Sequence, residues 1–155
     1  MEKKQSRFIE LILLFIVILL LVLILVDLVQ DKVKERATIP FETLLSVSLG
    51  VKEDEINRSY MIDGNTGASV ETTSPEKIKE LLNILYGKYY TKAKNQEGRT
   101  GYTYTYRFYS DDKELIRIVG SGSNVSINGT YYDVSEEISY EKLKKWYDEL
   151  LQYGV

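Results

Sequence analysis

The sequence predicts an α+β protein: an N-terminal transmembrane helix, followed by an antiparallel β-sheet with two α-helices packed on one face. Three observations lead to this prediction. A long apolar run lies near the N-terminus, short runs of alternating character fill much of the remainder, and two segments have apolar residues at helical spacing. With 155 residues, the chain has room for one ordinary domain and a short appendage.

The apolar run is "FIELILLFIVILLLVLILV", residues 8–26, in which Glu10 is the only charged residue. Its length is close to the ~20 residues that a helix needs to cross a bilayer. Its unbroken part, Leu11–Val26, is longer than the ~7–15 apolar residues of a signal peptide, and no small-x-small cleavage site follows it. A lipoprotein would need a cysteine, and the chain has none. We therefore expect a retained anchor.

Flanking charges predict the orientation of this anchor. Lys3, Lys4 and Arg7 precede it, whereas Asp27 and Asp31 are the first charges after it. The positive-inside rule then keeps the N-terminus in the cytoplasm and places the C-terminal domain outside a plasma membrane that is crossed once. The predicted parts are a cytoplasmic tail (1–7), a transmembrane anchor (8–26), a stalk (27–42) and an extracytoplasmic α+β domain (43–155).

Beyond the stalk, strand-like runs alternate with turn signals. "LLSVSLG" (Leu44–Gly50) and "NRSYMID" (Asn57–Asp63) are predicted strands, and the turn "DGNTG" leads into a second arm, "ASVETT". Later strands are predicted in "KYYTKAK", Tyr102–Tyr109, "LIRIVG", "SNVSIN" and "TYYDV". Asn128-Gly129, between the last two, is the strongest hairpin signal in the chain.

Two amphipathic helices are predicted. In "TSPEKIKELLNILYG", Ser74 is the expected N-cap, Pro75 occupies the first helical position and Gly87 suits the residue after the C-cap. The second helix begins near Ser139, and Gly154 is its expected stop. Because the links between the later strands have hairpin length, we expect an antiparallel sheet with both helices against one face.

Composition argues against several functions. The absence of cysteine and histidine removes thiolate nucleophiles and the usual proton shuttle, so we expect no enzyme, no cofactor and no catalytic or metal site. Three of the 20 basic and two of the 23 acidic residues precede residue 27, which leaves 17 against 21, a net charge of −4, outside. Such a domain has no electrostatic reason to bind nucleic acid.

"DGNTG" is similar to the first half of a calcium loop, with Asp63, Asn65 and Gly67 at alternate positions. A calcium loop needs a bidentate glutamate at position twelve, where this chain has Ser74. We therefore interpret the segment as a turn.

The stretch "GYTYTYRFYS" places Tyr102, Tyr104, Tyr106 and Phe108 on one face of a strand. These rings could form the core beneath the helices, which is our favoured interpretation, or an exposed aromatic surface for a sugar or peptide. Three of the four are tyrosines, and a fully buried tyrosine needs a hydrogen-bond partner, so both interpretations stay open. The candidate ligand-binding residues are Tyr102, Tyr104, Tyr106 and Tyr109.

Three functional hypotheses follow. The first is a non-enzymatic binding or sensing module of the bacterial cell envelope, with the lipid bilayer and a cell-wall polymer or membrane protein as partners. The second is an accessory subunit of a membrane complex that pairs through its membrane helix, for which Glu10 within the anchor gives a reason; snorkelling of Glu10 to the cytoplasmic interface is the alternative explanation of this residue. The third is a small hydrolase that uses carboxylates, which would need two of them held across a cleft.

Residues 46–153 resemble small extracytoplasmic domains of unknown function from Firmicutes, especially clostridia. The resemblance rests on "IDGNTGASVETTSPEKIKELLNILYGKYY", "GYTYTYRFY" and "KELIRIVGSGSNVSINGTYYDV". A related layout is found in outer segments of BlaR-type membrane signalling proteins. The resemblance implies a Gram-positive envelope location and an α+β fold, and it brings no catalytic residues.

Overall fold

A computed structural model describes the backbone of residues 2–35, 37–97 and 101–153, and the side chains of residues 13–29, 37–97 and 101–152. The side chain of Glu10 and the predicted stop at Gly154 lie outside these ranges. The chain divides into two compact units, Met1–Ala37 and Thr38–Val155.

The first unit is one helix, α1 (Glu2–Glu35), which continues well beyond the predicted anchor. Every side chain described in it, from Leu13 to Val29, is exposed. Among the described residues, the structure holds no helix with the length and apolarity that a membrane crossing requires. The transmembrane assignment of residues 8–26 therefore stays a prediction.

In its described residues, the second unit contains three further helices and one sheet of eight strands, which confirms the predicted α+β class. Its elements, in chain order, are β1 (Thr38–Pro40), α2 (Phe41–Thr43), a π-helical turn (Leu44–Ser48), a 3-10 turn (Glu53–Glu55), β2 (Arg58–Asp63), β3 (Ser69–Thr72), α3 (Pro75–Leu85), β4 (Tyr89–Lys92), β5 (Tyr104–Ser110), β6 (Lys113–Val119), β7 (Gly122–Ile127), β8 (Thr130–Ile138) and α4 (Tyr140–Tyr153).

The strands lie in the order β1-β4-β8-β7-β6-β5-β2-β3, and every neighbouring pair is antiparallel, as predicted. Part of the predicted stalk belongs to this unit. Thr38–Pro40 forms an edge strand paired with β4, and Phe41 is buried directly after it. The folded unit therefore starts at Thr38 instead of residue 43.

One face of the sheet carries the core. Met61, Tyr106, Ile118 and Ile127 are aligned across four strands, so their side chains share a face, and all four are buried. The same core contains the apolar stripes of α3 and α4, whose members are Ile78, Leu81, Leu82, Leu85, Leu143, Trp146, Tyr147 and Leu150. Both predicted helices thus pack on this face of the sheet, and neither covers the opposite face, which we call the open face.

A hydrogen bond and an ion pair connect the two helices. The indole Nε1 of Trp146 donates to the carbonyl oxygen of Lys77 at 2.8 Å. The Lys77 ammonium also contacts the Glu149 carboxylate at 2.7 Å. These contacts hold α3 and α4 side by side.

The prediction of a strand at Leu44–Gly50 is wrong, because this segment is helical. A strand would send Leu44 and Leu45 to opposite faces. In the helical turn, Phe41, Leu44 and Leu45 fall at i, i+3 and i+4 and are all buried, whereas Val47 points outward with 77% of its surface exposed. Burial of these three large side chains on one side of the helical turn outweighs the preference of the segment's own sequence for a strand.

The predicted helix start and hairpin are confirmed. The Ser74 hydroxyl accepts a hydrogen bond from the Lys77 backbone N–H, and Pro75 is the first residue of α3. Asn128 and Gly129 have φ angles of 49° and 84°, the left-handed values that a tight β-hairpin turn needs. The side chains and backbone angles of these few residues therefore determine where α3 begins and where the β7–β8 hairpin turns.

A candidate ligand groove on the open sheet face

The open face of the sheet has a charged part and a neutral part. Its charged part is centred on β5 and β6, where Arg107 and Arg117 lie directly opposite each other. Glu114 lies between these arginines, 3.6 Å from one guanidinium and 2.9 Å from the other. The Tyr109 hydroxyl lies 3.4 Å from the same carboxylate. One glutamate therefore bridges two arginines that would otherwise repel each other, and it offsets one of their two positive charges.

Arg58 extends this network towards the edge of the sheet. Its guanidinium contacts the Glu71 carboxylate at 3.1 Å and lies 4.3 Å from the centre of the Tyr109 ring. It also donates to the Asp111 carbonyl oxygen in the β5–β6 turn. The charges of this part are used in contacts within the domain, which favours a structural role.

The neutral part is a groove where β5 begins and β6 ends. It encloses about 200 Å³. Its lining consists of Gly101, Tyr102, Thr103, Val119, Gly120, Ser121, Asn124 and Tyr131. None of these described residues carries a formal charge, and two of them offer aromatic rings. We call this feature the Tyr102–Tyr131 groove.

The Gln96 side chain supports one wall of the groove. Its amide oxygen accepts from the Tyr131 backbone N–H at 2.8 Å, and its amide nitrogen donates to the Tyr131 carbonyl at 3.0 Å. The same nitrogen donates to the Ala93 carbonyl at 2.6 Å. Gln96 therefore continues the β4–β8 ladder with a side chain and holds the Tyr131 backbone in place.

Gly120 shapes the floor of the groove. Its φ of 109° is one that other residues rarely adopt, and its N–H donates to the Tyr104 carbonyl at 2.9 Å. A Cβ atom here would lie 3.4 Å from the Asn124 carbonyl oxygen. Glycine therefore allows the β6–β7 turn to fold closely over the start of β7.

Asn124 is the oriented polar group of the groove. Its Nδ2 donates to the Asp133 carboxylate at 2.8 Å. An amide has two N–H donors and one oxygen acceptor, so this bond fixes the orientation of Asn124 and uses only one donor. The second N–H and the oxygen can then serve a ligand that offers hydroxyl groups.

The structure separates the four predicted tyrosines. Tyr104 and Tyr106 are buried in the core, with 2% and 0% of their surface exposed, as the favoured interpretation expects, so they do not belong to the exposed aromatic surface that was the alternative. Tyr109 takes part in the charged network. Tyr102 alone among the four is more than half exposed, at 51%, and it lines the groove.

The sequence analysis did not identify two of the groove residues as candidate site residues. Tyr131 and Asn124 belong to strands whose patterns predict only a hairpin, and Asn124 stands in an N-x-S sequence whose meaning depends on the organism. Their only local signal is alternation, which places both on the same face of paired strands. Pairing of β6 with both β5 and β7 brings them close to Tyr102.

The turn at Asp63 is confirmed as a turn. The Asp63 carboxylate accepts from the Asn65 backbone N–H at 2.8 Å and from the Thr66 hydroxyl at 3.1 Å. The hydrogen bond from the Asn65 backbone holds the pKa of this carboxyl below its ordinary value. Within the described residues, no group of three or more acidic side chains is placed to hold a metal ion.

A second, larger hollow of about 540 Å³ lies beside the start of α3, between Ile56, Pro75, Ile78 and Leu82, with Glu53 and Lys79 also in its lining. Its floor is apolar and its rim carries charges of both signs. Its lining also contains Asn57, whose amide nitrogen and oxygen are both hydrogen-bonded to Asp111, and none of its described residues has an aromatic ring, so the Tyr102–Tyr131 groove is the better candidate site.

Comparisons with protein-family models, with curated proteins and with solved structures find no match to this chain. Its function must therefore be inferred from its own residues.

Proposed function

We propose that the chain is a single-pass, membrane-anchored binding module of the bacterial cell envelope that captures an uncharged polar ligand outside the plasma membrane without catalysis. The N-terminus lies in the cytoplasm, residues 8–26 anchor the chain and the sheet domain lies outside. The observation that carries the binding role is the Tyr102–Tyr131 groove, which combines exposed aromatic surface, an oriented amide and a lining whose described residues are all uncharged.

The exposed apolar surface of α1 supports the proposal that this helix is a membrane anchor. All fourteen residues from Leu13 to Val26 are large, apolar and exposed, on every side of the helix. A helix that is apolar all round needs an apolar environment, either a protein core or a membrane. At about 1.5 kcal/mol for each side chain, transfer of this surface from water to hydrocarbon is worth on the order of 20 kcal/mol. A bilayer supplies that environment.

The chemistry of the groove favours binding over catalysis. Hydrolysis by carboxylates needs two acidic groups on either side of the reacting bond. The described lining contains neither aspartate nor glutamate, and the nearby Asp133 carboxylate accepts a hydrogen bond from Asn124. The hydrolase hypothesis therefore has no support at this site, and the accessory-subunit hypothesis still rests on Glu10 alone.

The absence of native cysteine allows a direct test of anchoring and topology. We would introduce Gln5→Cys in one chain and Ser123→Cys, at an exposed position of β7, in another, and add a membrane-impermeant maleimide to intact cells. The proposal predicts labelling of Ser123→Cys in intact cells, and of Gln5→Cys only after permeabilisation. The opposite pattern would refute the orientation, and recovery of the chain without membranes would refute the anchor.

Ligand capture is tested separately, with the full chain in lipid nanodiscs. Tyrosines labelled with fluorine at the 3-position report binding by NMR, and Tyr102→Phe assigns the groove resonance. We expect uncharged polar fragments from a small-molecule library to shift that resonance. If no fragment shifts it while fragments bind elsewhere on the domain, the groove is not the ligand site.

A further inference from the structure

We infer that the Tyr102–Tyr131 groove binds one ring of an uncharged saccharide, with Tyr102 as the stacking surface and Asn124 as the group that recognises hydroxyls. This inference rests on the proposed binding role and names its ligand class. It depends on three properties of the groove: its size, its charge and the placement of its polar groups.

Size restricts the ligand to one small ring or a unit of similar volume. The groove encloses about 200 Å³, which is below the ~300–1,000 Å³ of sites that enclose a drug-sized molecule. An extended peptide needs a longer channel or a free strand edge, whereas the strands that line this groove, β6, β7 and β8, are all interior strands of the sheet. A glycan can place one unit in such a groove and leave its neighbours in solvent.

The described lining disfavours anionic and cationic ligands, because none of its residues carries a charge of either sign. The described lining contains no lysine or arginine that could neutralise a carboxylate or phosphate. The Asp133 carboxylate, which is hydrogen-bonded to Asn124, would repel an anion. A cation would find no carboxylate among the described residues of the lining. A neutral, hydroxyl-rich molecule avoids both costs.

The placement of polar groups matches the two surfaces of a sugar ring. One side of a pyranose is rich in C–H groups and packs on an aromatic ring, which the half-exposed Tyr102 provides. Its rim carries hydroxyls that both donate and accept. Asn124, held by Asp133, offers one donor and one acceptor, and the Ser121 and Thr103 hydroxyls lie in the same lining.

The orientation of Asn124 matters for selectivity. Because the Asp133 carboxylate can only accept hydrogen bonds, the amide nitrogen of Asn124 must face it, and the amide oxygen of Asn124 then faces away. A Gln or Asp in place of Asn124 would move or remove one of the two groups offered to a ligand. Asp133 is thus a positioning residue for the groove.

The test measures the affinity of the full chain in nanodiscs for defined trisaccharides, by NMR titration. The uncharged probes are triacetylchitotriose and maltotriose, and the charged probe is trigalacturonate. We expect at least one uncharged probe to bind, trigalacturonate to bind more weakly by about tenfold or more, and Tyr102→Ala to weaken the uncharged probe by about tenfold or more. Tyr102→Phe keeps the ring and should retain binding within about threefold.

Tyr89→Ala is the matched control, because Tyr89 and Tyr102 are the same residue type and both are 51% exposed, but Tyr89 lies outside the groove. It should leave affinity unchanged within about twofold.

Asp133→Asn gives a further readout. The amide that it introduces can present its nitrogen to Asn124, so the Asn124 side chain is no longer held in one orientation. Selectivity among the uncharged probes should therefore change, while Trp146 fluorescence shows an intact fold.

Three outcomes would overturn the inference. If uncharged fragments shift the Tyr102 resonance but neither uncharged trisaccharide binds, the groove takes another ligand class and only this inference fails. If neither fragments nor trisaccharides bind in the groove, the proposed binding role fails with it. Equal loss of affinity in Tyr89→Ala and Tyr102→Ala would show that the effect does not come from the groove.

Discussion

The buried hydroxyl of Tyr106 allows a sharp test of the core. Tyr106 is fully buried, and its hydroxyl has no hydrogen-bond partner among the described residues. Tyr90 is equally buried, but its hydroxyl donates to the carbonyl oxygen of Leu85 at 3.4 Å. Replacement of either tyrosine by phenylalanine keeps the ring and removes only the hydroxyl. The two variants therefore compare an unpaired buried hydroxyl with a paired one.

The expected changes have opposite signs. Burial of an unpaired hydroxyl costs about 1–3 kcal/mol, so Tyr106→Phe should raise the free energy of unfolding by about 1 kcal/mol. Tyr90→Phe loses a hydrogen bond and leaves the Leu85 carbonyl without it, so it should lower that free energy by about 1 kcal/mol. Tyr106→Ala, which removes the whole buried ring, should cost about 3–5 kcal/mol.

The assay is denaturation of the full chain in detergent micelles by guanidinium chloride. Trp146 is the single tryptophan of the chain and is buried in the core, so its fluorescence reports loss of the packed state. The midpoint and slope for each variant give the change in free energy. A Tyr106→Phe chain that is less stable than the parent would refute the reasoning, because its hydroxyl would then have a partner that stabilises the fold.

Three further predictions use the same assay. Gly64→Ala should cost about 1–3 kcal/mol, since its Cβ would lie 2.8 Å from the Tyr102 carbonyl oxygen; unchanged stability would show that this turn can move. Glu114→Gln, measured with uncharged urea in place of guanidinium chloride, should lower the midpoint because the opposed arginines lose the carboxylate between them, and the loss should shrink in 1 M sodium chloride; a loss insensitive to salt would argue against charge. Lys77 holds the pKa of the Glu149 carboxyl below its ordinary value of 4.5, so stability should be full above about pH 4.5 and decline as pH falls through the lower folded value; a Glu149→Gln chain with the same decline would contradict this.

The local chemistry of the sequence determined the α+β class, the start of α3, the Asn128-Gly129 hairpin and the turn at Asp63. Each depends on residues within a few positions of one another. Ser74 accepts from Lys77, and Asp63 accepts from Asn65 and Thr66. Such contacts form whatever the distant chain does, so composition and spacing are sufficient to predict them.

Tertiary packing decided what each side chain faces. The apolar run at Leu44–Gly50 fits a strand by composition, yet burial of Phe41, Leu44 and Leu45 on one side requires a helical turn. Alternation of side chains groups Tyr102 with Tyr106 on one face, but it cannot show which residues on that face are covered by the helices. Tyr102 lies before the first residue of β5 and is exposed, whereas Tyr106, further along that strand, is buried. The groove itself joins residues from separate strands, and only strand pairing brings Tyr102, Asn124 and Tyr131 together, because proximity across a sheet depends on register and not on sequence spacing.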